Sequence, residues 1–302
     1  MADSYYDVIV IGAGITGLTA AKHAVQSGLT TANIEAMMFG GLVLNVNELD
    51  GETQGSGAEL ASDLMSEISD LGVANLSEAV TAIARAGDQL TVTTDAGTHR
   101  ARAVIVASGA KLKRLGVPGE AEFDYKGVSQ CADCDGPMCQ DQDVVVVGGG
   151  DSALQEALVL AKFCKRVHLL HRGKQYRARR NLIDAISTHS NITPVWESVV
   201  EEILGGATVE KVRVRNIATN AVSEIACTGF FAYIGLEPVC DFVPAEVARD
   251  ANGALVTNAA LQTALPGVYA VGAVRSGYGG LLTHAIAEGE AAARSVSAAL
   301  AG

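Results

Sequence analysis

Short apolar runs, each followed by glycines and then by an alanine-rich stretch, organise the start of the chain. Residues 6–11 are rich in valine and isoleucine and predict a buried strand, and the stretch from Leu18 to Ser27 predicts a helix. A second apolar run, residues 30–35, predicts the next strand. Because strand, helix and strand follow directly on one another, this segment predicts a β-α-β unit.

The same order of patterns returns 136 residues later, counting from Gly12 to Gly148. Residues 143–147 form a continuous apolar run, which is typical of a strand buried on both faces of a parallel sheet. A predicted helix at 154–163 and a predicted strand at 166–170 follow. The sequence therefore predicts an α/β fold built from two Rossmann-like, three-layer ββα domains.

Two turn-rich stretches, residues 115–120 and 234–238, mark the expected domain boundaries. They predict one domain made of residues 1–114 and 239–302, with a second domain, 115–238, inserted into it. A strand at 268–272 and a long helix at 284–300 return to complete the first domain.

Composition narrows the possible functions. The chain of 302 residues has a net charge of −12, which argues against binding to nucleic acid or to an anionic membrane surface. No apolar run approaches the length that spans a bilayer, and the N-terminal residues lack the basic segment of a signal peptide. We therefore expect a cytoplasmic protein, in which the six cysteines are thiols or a catalytic pair.

The first glycine-rich turn has the spacing of a dinucleotide-binding loop. Gly12 allows a tight turn, Gly14 lets a pyrophosphate approach the backbone, and Gly17 permits close packing of helix on strand. Glu35 follows near the end of the second strand, where a carboxylate can accept hydrogen bonds from ribose hydroxyls. The alternative is an ordinary glycine turn, but the strand, helix and carboxylate together favour a dinucleotide.

The second glycine-rich turn differs in the residues that follow its second strand. Gly148, Gly150 and Ala153 repeat the loop, but no carboxylate stands where Glu35 stands in the first unit. Cations occupy the stretch instead: His171, Arg172, Lys174 and Arg177. Because cations attract a 2′-phosphate, this favours NADPH over NADH, although a solvated basic turn is the alternative.

A third motif has Cys131 and Cys134 separated by two residues, with Asp135 directly after Cys134. Two thiols at this spacing can cycle between dithiol and disulfide, and Asp135 can relay a proton. Zinc would need a second pair of ligands, which the sequence does not supply, so no metal is predicted. Cys139 lies close by and is either a further redox thiol or a buried structural one.

The motifs together resemble those of a low-molecular-weight thioredoxin reductase, and the similarity extends over nearly the whole chain. The matching stretches are 12–17, 40–41, 107–110, 117–120, 131–136, 148–153, 171–172, 234–238 and 267–272. The resemblance implies a homodimer that acts on thioredoxin or a thioredoxin-like protein. It implies FAD in the domain of residues 1–114 and 239–302, and NADPH in the inserted domain, 115–238. It implies that Cys134 faces the flavin, Cys131 attacks the partner disulfide and Asp135 is the acid–base residue.

The resemblance also assigns cofactor-binding residues. For FAD they are Gly12, Gly14, Gly17, Glu35, Gly40, Gly41, Ala107, Gly109 and Gly272; for NADPH they are Gly148, Gly150, Ser152, Ala153, His171, Arg172 and Arg177.

This chain departs from the family pattern at several places, three of which are single residues at the expected cofactor sites. Ala273 replaces an aspartate of the family, Leu42 replaces a glutamine, and Gly173 replaces the second arginine after the histidine. These changes leave other functions open. The alternatives are a flavin-dependent dithiol oxidase that uses oxygen, a reductase with a donor other than NADPH, and a flavin-binding sensor without turnover.

Overall fold

A computed structural model describes residues 4–46, 49 and 55–302 of the chain. Residues 1–3, which belong to the N-terminal stretch considered for a signal peptide, lie outside the described residues. Nowhere in the described ranges is there a helix that is both long and apolar enough to cross a bilayer.

The described elements begin with β1 (Ser4–Ile11), α1 (Ile15–Gln26), β2 (Thr31–Ile34), a 3-10 helix (Gly41–Asn45), α2 (Gly57–Asp70), β3 (Ala74–Leu76), β4 (Val80–Ala86), β5 (Gln89–Thr94), β6 (Thr98–Val106) and β7 (Ala110–Leu112). They continue with β8 (Val128–Ser129), α3 (Ala132–Asp135), a 3-10 helix (Gly136–Cys139), β9 (Asp143–Gly148), α4 (Asp151–Leu160), β10 (Arg166–Leu170), α5 (Arg180–Thr188), β11 (Ile192–Val195), β12 (Ser198–Gly205), β13 (Val209–Asn216), β14 (Val222–Ala226), β15 (Gly229–Tyr233) and β16 (Leu236–Pro238). The last elements are β17 (Val268–Ala270), a 3-10 helix (Gly272–Val274) and α6 (Leu282–Ala301).

The chain divides into two compact units, which we call the outer unit (Met1–Lys111 and Glu237–Gly302) and the inserted unit (Leu112–Leu236). The outer unit contains a sheet in the order β3-β2-β1-β6-β5-β4, with β17 also paired to β6. Strands β1, β2, β3, β6 and β17 run parallel, whereas β4 and β5 pair antiparallel. Alternate residues of β1 supply two cores, Val8 and Val10 on the α1 and α6 side and Ile9 and Ile11 on the other.

The inserted unit has a parallel sheet in the order β11-β10-β9-β15-β8 and a separate antiparallel sheet, β12-β13-β14. Within β9, Val144 and Val146 pack into the core that contains α4, and Val145 and Val147 pack into the core that contains β12 and β13. This burial on both faces explains why β9 is a continuous apolar run rather than an alternating one. The unit thus has three layers, sheet, sheet and helix.

The predicted fold class is confirmed, and most element boundaries differ by only a few residues. Helix α1 begins three residues earlier than the apolar pattern predicts, and α4 ends at Leu160 rather than at 163. The units divide at 111/112 and 236/237. Which unit holds which nucleotide remains a prediction.

Candidate functional site

The first glycine loop joins β1 to α1 in the outer unit and is formed by very close backbone contacts. A Cβ atom on Gly12, whose φ is +106°, would lie 2.4 Å from the carbonyl oxygen of Ala107. A Cβ atom on Gly17 would lie 2.0 Å from the carbonyl oxygen of Gly12. Neither position can therefore hold a side chain without movement of β1, β6 or α1.

Gly14 differs from its two neighbours because a side chain there would point into open space. A Cβ atom on Gly14 would have one neighbour within 4 Å, the carbonyl oxygen of Gly40 at 3.8 Å. Gly14 is also the N-cap of α1, and no side chain caps its N–H groups. The first turn of α1 contains no acidic residue. This open, uncapped helix start with unpaired N–H groups is the kind of backbone that binds a pyrophosphate.

The structure brings the other predicted residues of the outer unit to the same edge. Gly40 donates its N–H to the Ala13 carbonyl oxygen at 2.7 Å, and Gly41 lies against Gly14. Ala107 directly follows β6. Gly272 lies two residues beyond the end of β17 and packs on Thr16 of α1. Gly109 lies beyond Ala107, with no atom within 4 Å of the place where a Cβ would be.

Glu35 sits directly after β2, and its carboxylate is held by the backbone. Its Oε2 accepts a hydrogen bond from the N–H of Ala13 at 2.9 Å, and its Oε1 accepts one from the N–H of Met37 at 3.0 Å. The carboxylate is therefore fixed beside the first glycine loop, as its spacing from Gly14 predicts.

The second glycine loop joins β9 to α4 in the inserted unit. A Cβ on Gly148 would lie 2.4 Å from the Tyr233 carbonyl oxygen, whereas one on Gly150 would have no atom within 4 Å. Gly150 caps α4 without a side-chain bond, Ser152 is exposed and Ala153 is fully buried. The two loops thus share a crowded first glycine and an open second glycine at a helix start.

The α4 start carries an acidic residue, which the α1 start does not. Asp151 accepts hydrogen bonds from the backbone N–H of Arg179 at 2.7 Å and from its Nε at 2.5 Å. The guanidinium therefore offsets the negative charge that would otherwise oppose a phosphate at this helix start.

The predicted cations lie at the second loop. The ring of His171 packs against Gly149, and the N–H of Arg177 donates to the Gly149 carbonyl oxygen at 2.7 Å. Burial, and then the charges of Arg177 and Arg172, lower the pKa of His171, so its imidazole is neutral at pH 7.

The guanidinium groups of Arg172 and Arg177 make no hydrogen bond or ion pair within the described part of the chain. Lys174, by contrast, pairs with Glu197 at 3.5 Å. Two exposed, unpaired guanidinium groups beside an open helix start are suited to a phosphate.

The cysteine pair lies on α3 of the same unit. Cys131 and Cys134 form a disulfide with a Cα–Cα distance of 5.3 Å, and the N–H of Cys134 donates to the Cys131 sulfur at 3.2 Å. Cys134 is exposed and Cys131 is half-buried. Once the bond is reduced, that N–H favours negative charge on the Cys131 sulfur. Asp135, also half-buried, ends α3 one residue beyond Cys134.

The four other cysteines are buried thiols. Burial raises the pKa of Cys164 and of Cys227 to about 12, and it raises that of Cys139, with Asp135 as the second cause. A buried thiol with a raised pKa is a poor nucleophile at neutral pH, which favours the structural interpretation of Cys139. Across residues 4–46, 49 and 55–302, no group of three or more metal-ligating side chains occurs.

Two carboxylates that sequence reasoning missed lie close to these sites. Glu288 of α6 accepts a hydrogen bond from the N–H of Gly272 at 2.8 Å and pairs with Arg275, next to Ala273. Glu156 of α4 lies beneath α3, near Ala132 and Asp133. Each glutamate lies among apolar residues of its helix, and a charged residue in such a stretch is the weak sequence signal that could have identified it.

Comparisons with known proteins identify the family. The family model described as pyridine nucleotide-disulphide oxidoreductase matches residues 6–289. A thioredoxin reductase of Treponema pallidum is 35% identical over 275 residues, covering 90% of this chain and 89% of that protein. This chain belongs to the pyridine nucleotide-disulphide oxidoreductases and, within them, to the thioredoxin reductase family.

Solved structures of thioredoxin reductases agree with this assignment. The enzyme of Lactococcus lactis superposes with a TM-score of 0.90 at 35% identity, covering 96% of this chain and 97% of that one. The enzyme of T. acidophilum superposes with a TM-score of 0.91 at 29% identity, covering 99% and 100%. Family membership confirms the expected enzyme class and its two cofactors, FAD and NADPH. The open helix starts at Gly14 and Gly150 fit two such nucleotides.

Proposed function

We propose that this protein is an NADPH-dependent flavoprotein disulfide reductase, with the Cys131–Cys134 disulfide as its working group and thioredoxin or a thioredoxin-like protein as its substrate. The observation that carries the proposal is the disulfide itself, which lies in the same unit as the second nucleotide loop. The relatives named thioredoxin reductase support the choice of substrate.

NADPH is assigned to the inserted unit. Its pyrophosphate would lie at the start of α4, against the open backbone of Gly150, with Ser152 beside it and Ala153 packed beneath. The unpaired guanidinium groups of Arg172 and Arg177 would bind the 2′-phosphate. Arg177 can thereby take the place of the missing arginine at Gly173, whereas Lys174 is already paired with Glu197.

FAD is assigned to the outer unit. Its pyrophosphate would lie at the start of α1, against Gly14, and Glu35 would accept hydrogen bonds from ribose hydroxyls. The remaining predicted FAD residues at this edge are Gly12, Gly17, Gly40, Gly41, Ala107, Gly109 and Gly272. Ala273 cannot supply a carboxylate, and Glu288 already accepts the Gly272 N–H in its vicinity.

When bound, the two cofactors supply hydride transfer from nicotinamide to flavin and a pair of electrons for a disulfide. The chain contributes the reducible bond. Cys134 is its more exposed sulfur, and we assign it to the flavin side. Cys131, whose sulfur accepts the Cys134 N–H, is assigned the attack on the partner disulfide because that bond favours its thiolate. Asp135 is assigned the transfer of the proton.

We also propose that the protein is a cytoplasmic homodimer. We expect it to bind neither nucleic acid nor membranes. The resemblance to the family supports the dimer, and the net charge of −12 supports the expected absence of binding to phosphate-rich surfaces. Light scattering on the purified protein would give the oligomeric state.

The assigned electron path is tested by the Cys134→Ser variant under NADPH. We expect loss of thioredoxin reduction, because the variant cannot form the disulfide, with retention of NADPH turnover on an artificial electron acceptor. The Cys139→Ser variant is the matched control and should retain both activities, since that thiol is buried and holds its proton.

The turnover assay, together with flavin absorbance under anaerobic conditions, separates the alternatives. Equal loss of both activities in Cys134→Ser would contradict the assigned path. A flavin bleached by a dithiol but by neither nicotinamide would instead favour the dithiol oxidase, and one bleached by no donor tested would favour a sensor.

A further inference from the structure

The segment that carries Arg177 runs beside the second glycine loop and is joined to it at two points. The N–H of Arg177 donates to the Gly149 carbonyl oxygen at 2.7 Å. Two residues further along both stretches, the N–H of Arg179 donates to the Asp151 carboxylate at 2.7 Å. The two bonds therefore hold the segment and the loop in one register, with Arg177 beside the loop.

Side-chain burial alternates along this segment. Tyr176 and Ala178 are half-buried and pack against the core that contains α4. The Tyr176 ring also contacts Trp196, with ring centroids 4.3 Å apart. Arg177 and Arg179 are exposed. Packing on one side thus leaves both arginines on the solvent side of the segment, where a nucleotide can approach.

Asp151 makes the second of the two contacts from the first turn of α4. Its Oδ1 accepts the backbone N–H of Arg179, and its Oδ2 accepts the Nε–H of the same residue at 2.5 Å. Arg179 is also the N-cap of α5, which has no side-chain cap. One carboxylate therefore fixes the backbone at the point where the segment enters α5, two residues beyond Arg177.

The charge of Asp151 lies where the pyrophosphate of NADPH is assigned. The corresponding helix start in the outer unit, that of α1, has no acidic residue in its first turn. Because like charges repel, a carboxylate that contributed charge alone would weaken the binding of a phosphate. The contact with the Arg179 backbone is what an apolar residue at this place could not make.

We propose that Asp151 is a positioning residue for the selection of NADPH. Through the backbone N–H of Arg179 it holds the chain at Arg177, so that the Arg177 guanidinium stays beside the second glycine loop before the 2′-phosphate arrives. A segment that is already ordered does not have to be ordered during binding, which strengthens affinity. The inference rests on the proposed function, which assigns NADPH to this loop.

Positioning and charge predict opposite effects of removing the carboxylate. Loss of the charge alone would strengthen the binding of both nicotinamide nucleotides, since it removes repulsion of their phosphates. Loss of the contact would weaken the binding of the 2′-phosphate in particular, because only that group requires Arg177. The ratio of the affinities for NADP⁺ and NAD⁺ separates the two effects, since these nucleotides differ only in the 2′-phosphate.

Calorimetric titration of the oxidised holoenzyme with NADP⁺ and with NAD⁺ measures this ratio without turnover. For Asp151→Ala, we expect the preference for NADP⁺ to fall about 3- to 10-fold, the effect of one hydrogen bond. For Asp151→Asn, we expect a preference at least equal to that of wild type, because the amide oxygen can still accept the Arg179 N–H.

Asp184→Ala is the matched control. Asp184 is exposed and pairs with Arg180 at 2.9 Å, so this variant removes the same charge from the same arginine-rich stretch without removing a contact to the glycine loop. Its preference for NADP⁺ should equal that of wild type.

Limited digestion with trypsin is a second measurement that does not depend on ligand binding. A segment released from the glycine loop should be cut after Arg177 about 3-fold faster or more in Asp151→Ala than in Asp184→Ala, because proteolysis reports local opening. Flavin content and melting temperature show whether each variant is folded.

Three results would overturn the proposal: an unchanged or higher preference for NADP⁺ in Asp151→Ala, an equal fall in Asp151→Asn, or equal rates of cleavage in Asp151→Ala and Asp184→Ala. A wild type that binds NADP⁺ and NAD⁺ equally would overturn the proposed NADPH selection and this inference with it. A wild-type preference for NADP⁺ that Asp151→Ala retains would overturn this inference alone.

Discussion

The two nucleotide loops of this protein have nearly the same backbone but differ at two side-chain positions. Both have a crowded first glycine and an open second glycine at a helix start. The third position is Gly17 in the outer unit and Ala153 in the inserted unit. At the end of the second strand, the outer unit has Glu35 and the inserted unit has His171 followed by arginine.

The difference supports our proposal that each loop binds a pyrophosphate, while the residues at the end of the second strand select the nucleotide. A carboxylate held by two backbone N–H groups suits ribose hydroxyls, and two unpaired guanidinium groups suit a phosphate. The third position of the loop, Gly17 or Ala153, reflects how closely the helix approaches the strand. The inserted unit leaves room there for one methyl group, and the outer unit leaves none.

The largest expected effect is that of Gly17→Ala. The new methyl group would lie 2.0 Å from the Gly12 carbonyl oxygen, so α1 must move away from β1. Such overpacking costs about 1 to 3 kcal/mol or more, and we expect a lower melting temperature and loss of bound FAD. Calorimetry and the ratio of flavin to protein absorbance measure the two effects.

Ala153→Gly is the reciprocal variant in the inserted unit. It removes one buried methyl group and should cost only about 1 kcal/mol, with FAD retained. If Gly17→Ala lowered the melting temperature no more than Ala153→Gly, the helix would not pack more closely on the strand in the outer unit than in the inserted unit.

A smaller effect is expected for Arg177→Ala. Loss of a charged hydrogen bond to the 2′-phosphate should raise the KM for NADPH about 10- to 100-fold and leave that for NADH unchanged, since NADH lacks this phosphate. Arg180→Ala is the control, because Arg180 pairs with Asp184 and is 86% exposed. An equal rise in KM for both nicotinamides would show that Arg177 does not select the nucleotide.

The fold and much of the candidate site could be predicted because their signals are local. The loops of Gly12 and Gly148 follow apolar strands at fixed spacing, and Cys131 and Cys134 lie within one stretch of four residues. Helix starts were predicted less well, since α1 and α4 begin within the glycine motif rather than after it. Both helices are capped by glycine backbone, without the side chain that usually marks a start.

Glu288 and Glu156 were not predicted, because their placement depends on contacts between segments that are distant in sequence. Glu288 meets the backbone of Gly272, 16 residues away, and Glu156 meets α3, more than 20 residues before it. In sequence neither stands out, because α4 also contains Asp151 and α6 also contains Glu290 and Arg294. Their roles depend on which helix face is buried, and that is set by packing against other elements.

An anaerobic titration with NADPH tests the central claim most directly, by counting the electron pairs that the purified protein accepts. If electrons pass to the Cys131–Cys134 bond, wild type should oxidise two NADPH per chain, one pair residing on the flavin and one on the sulfurs. Cys134→Ser, which has no disulfide, should oxidise one. A wild type that accepts one pair, the same as Cys134→Ser, would contradict the account.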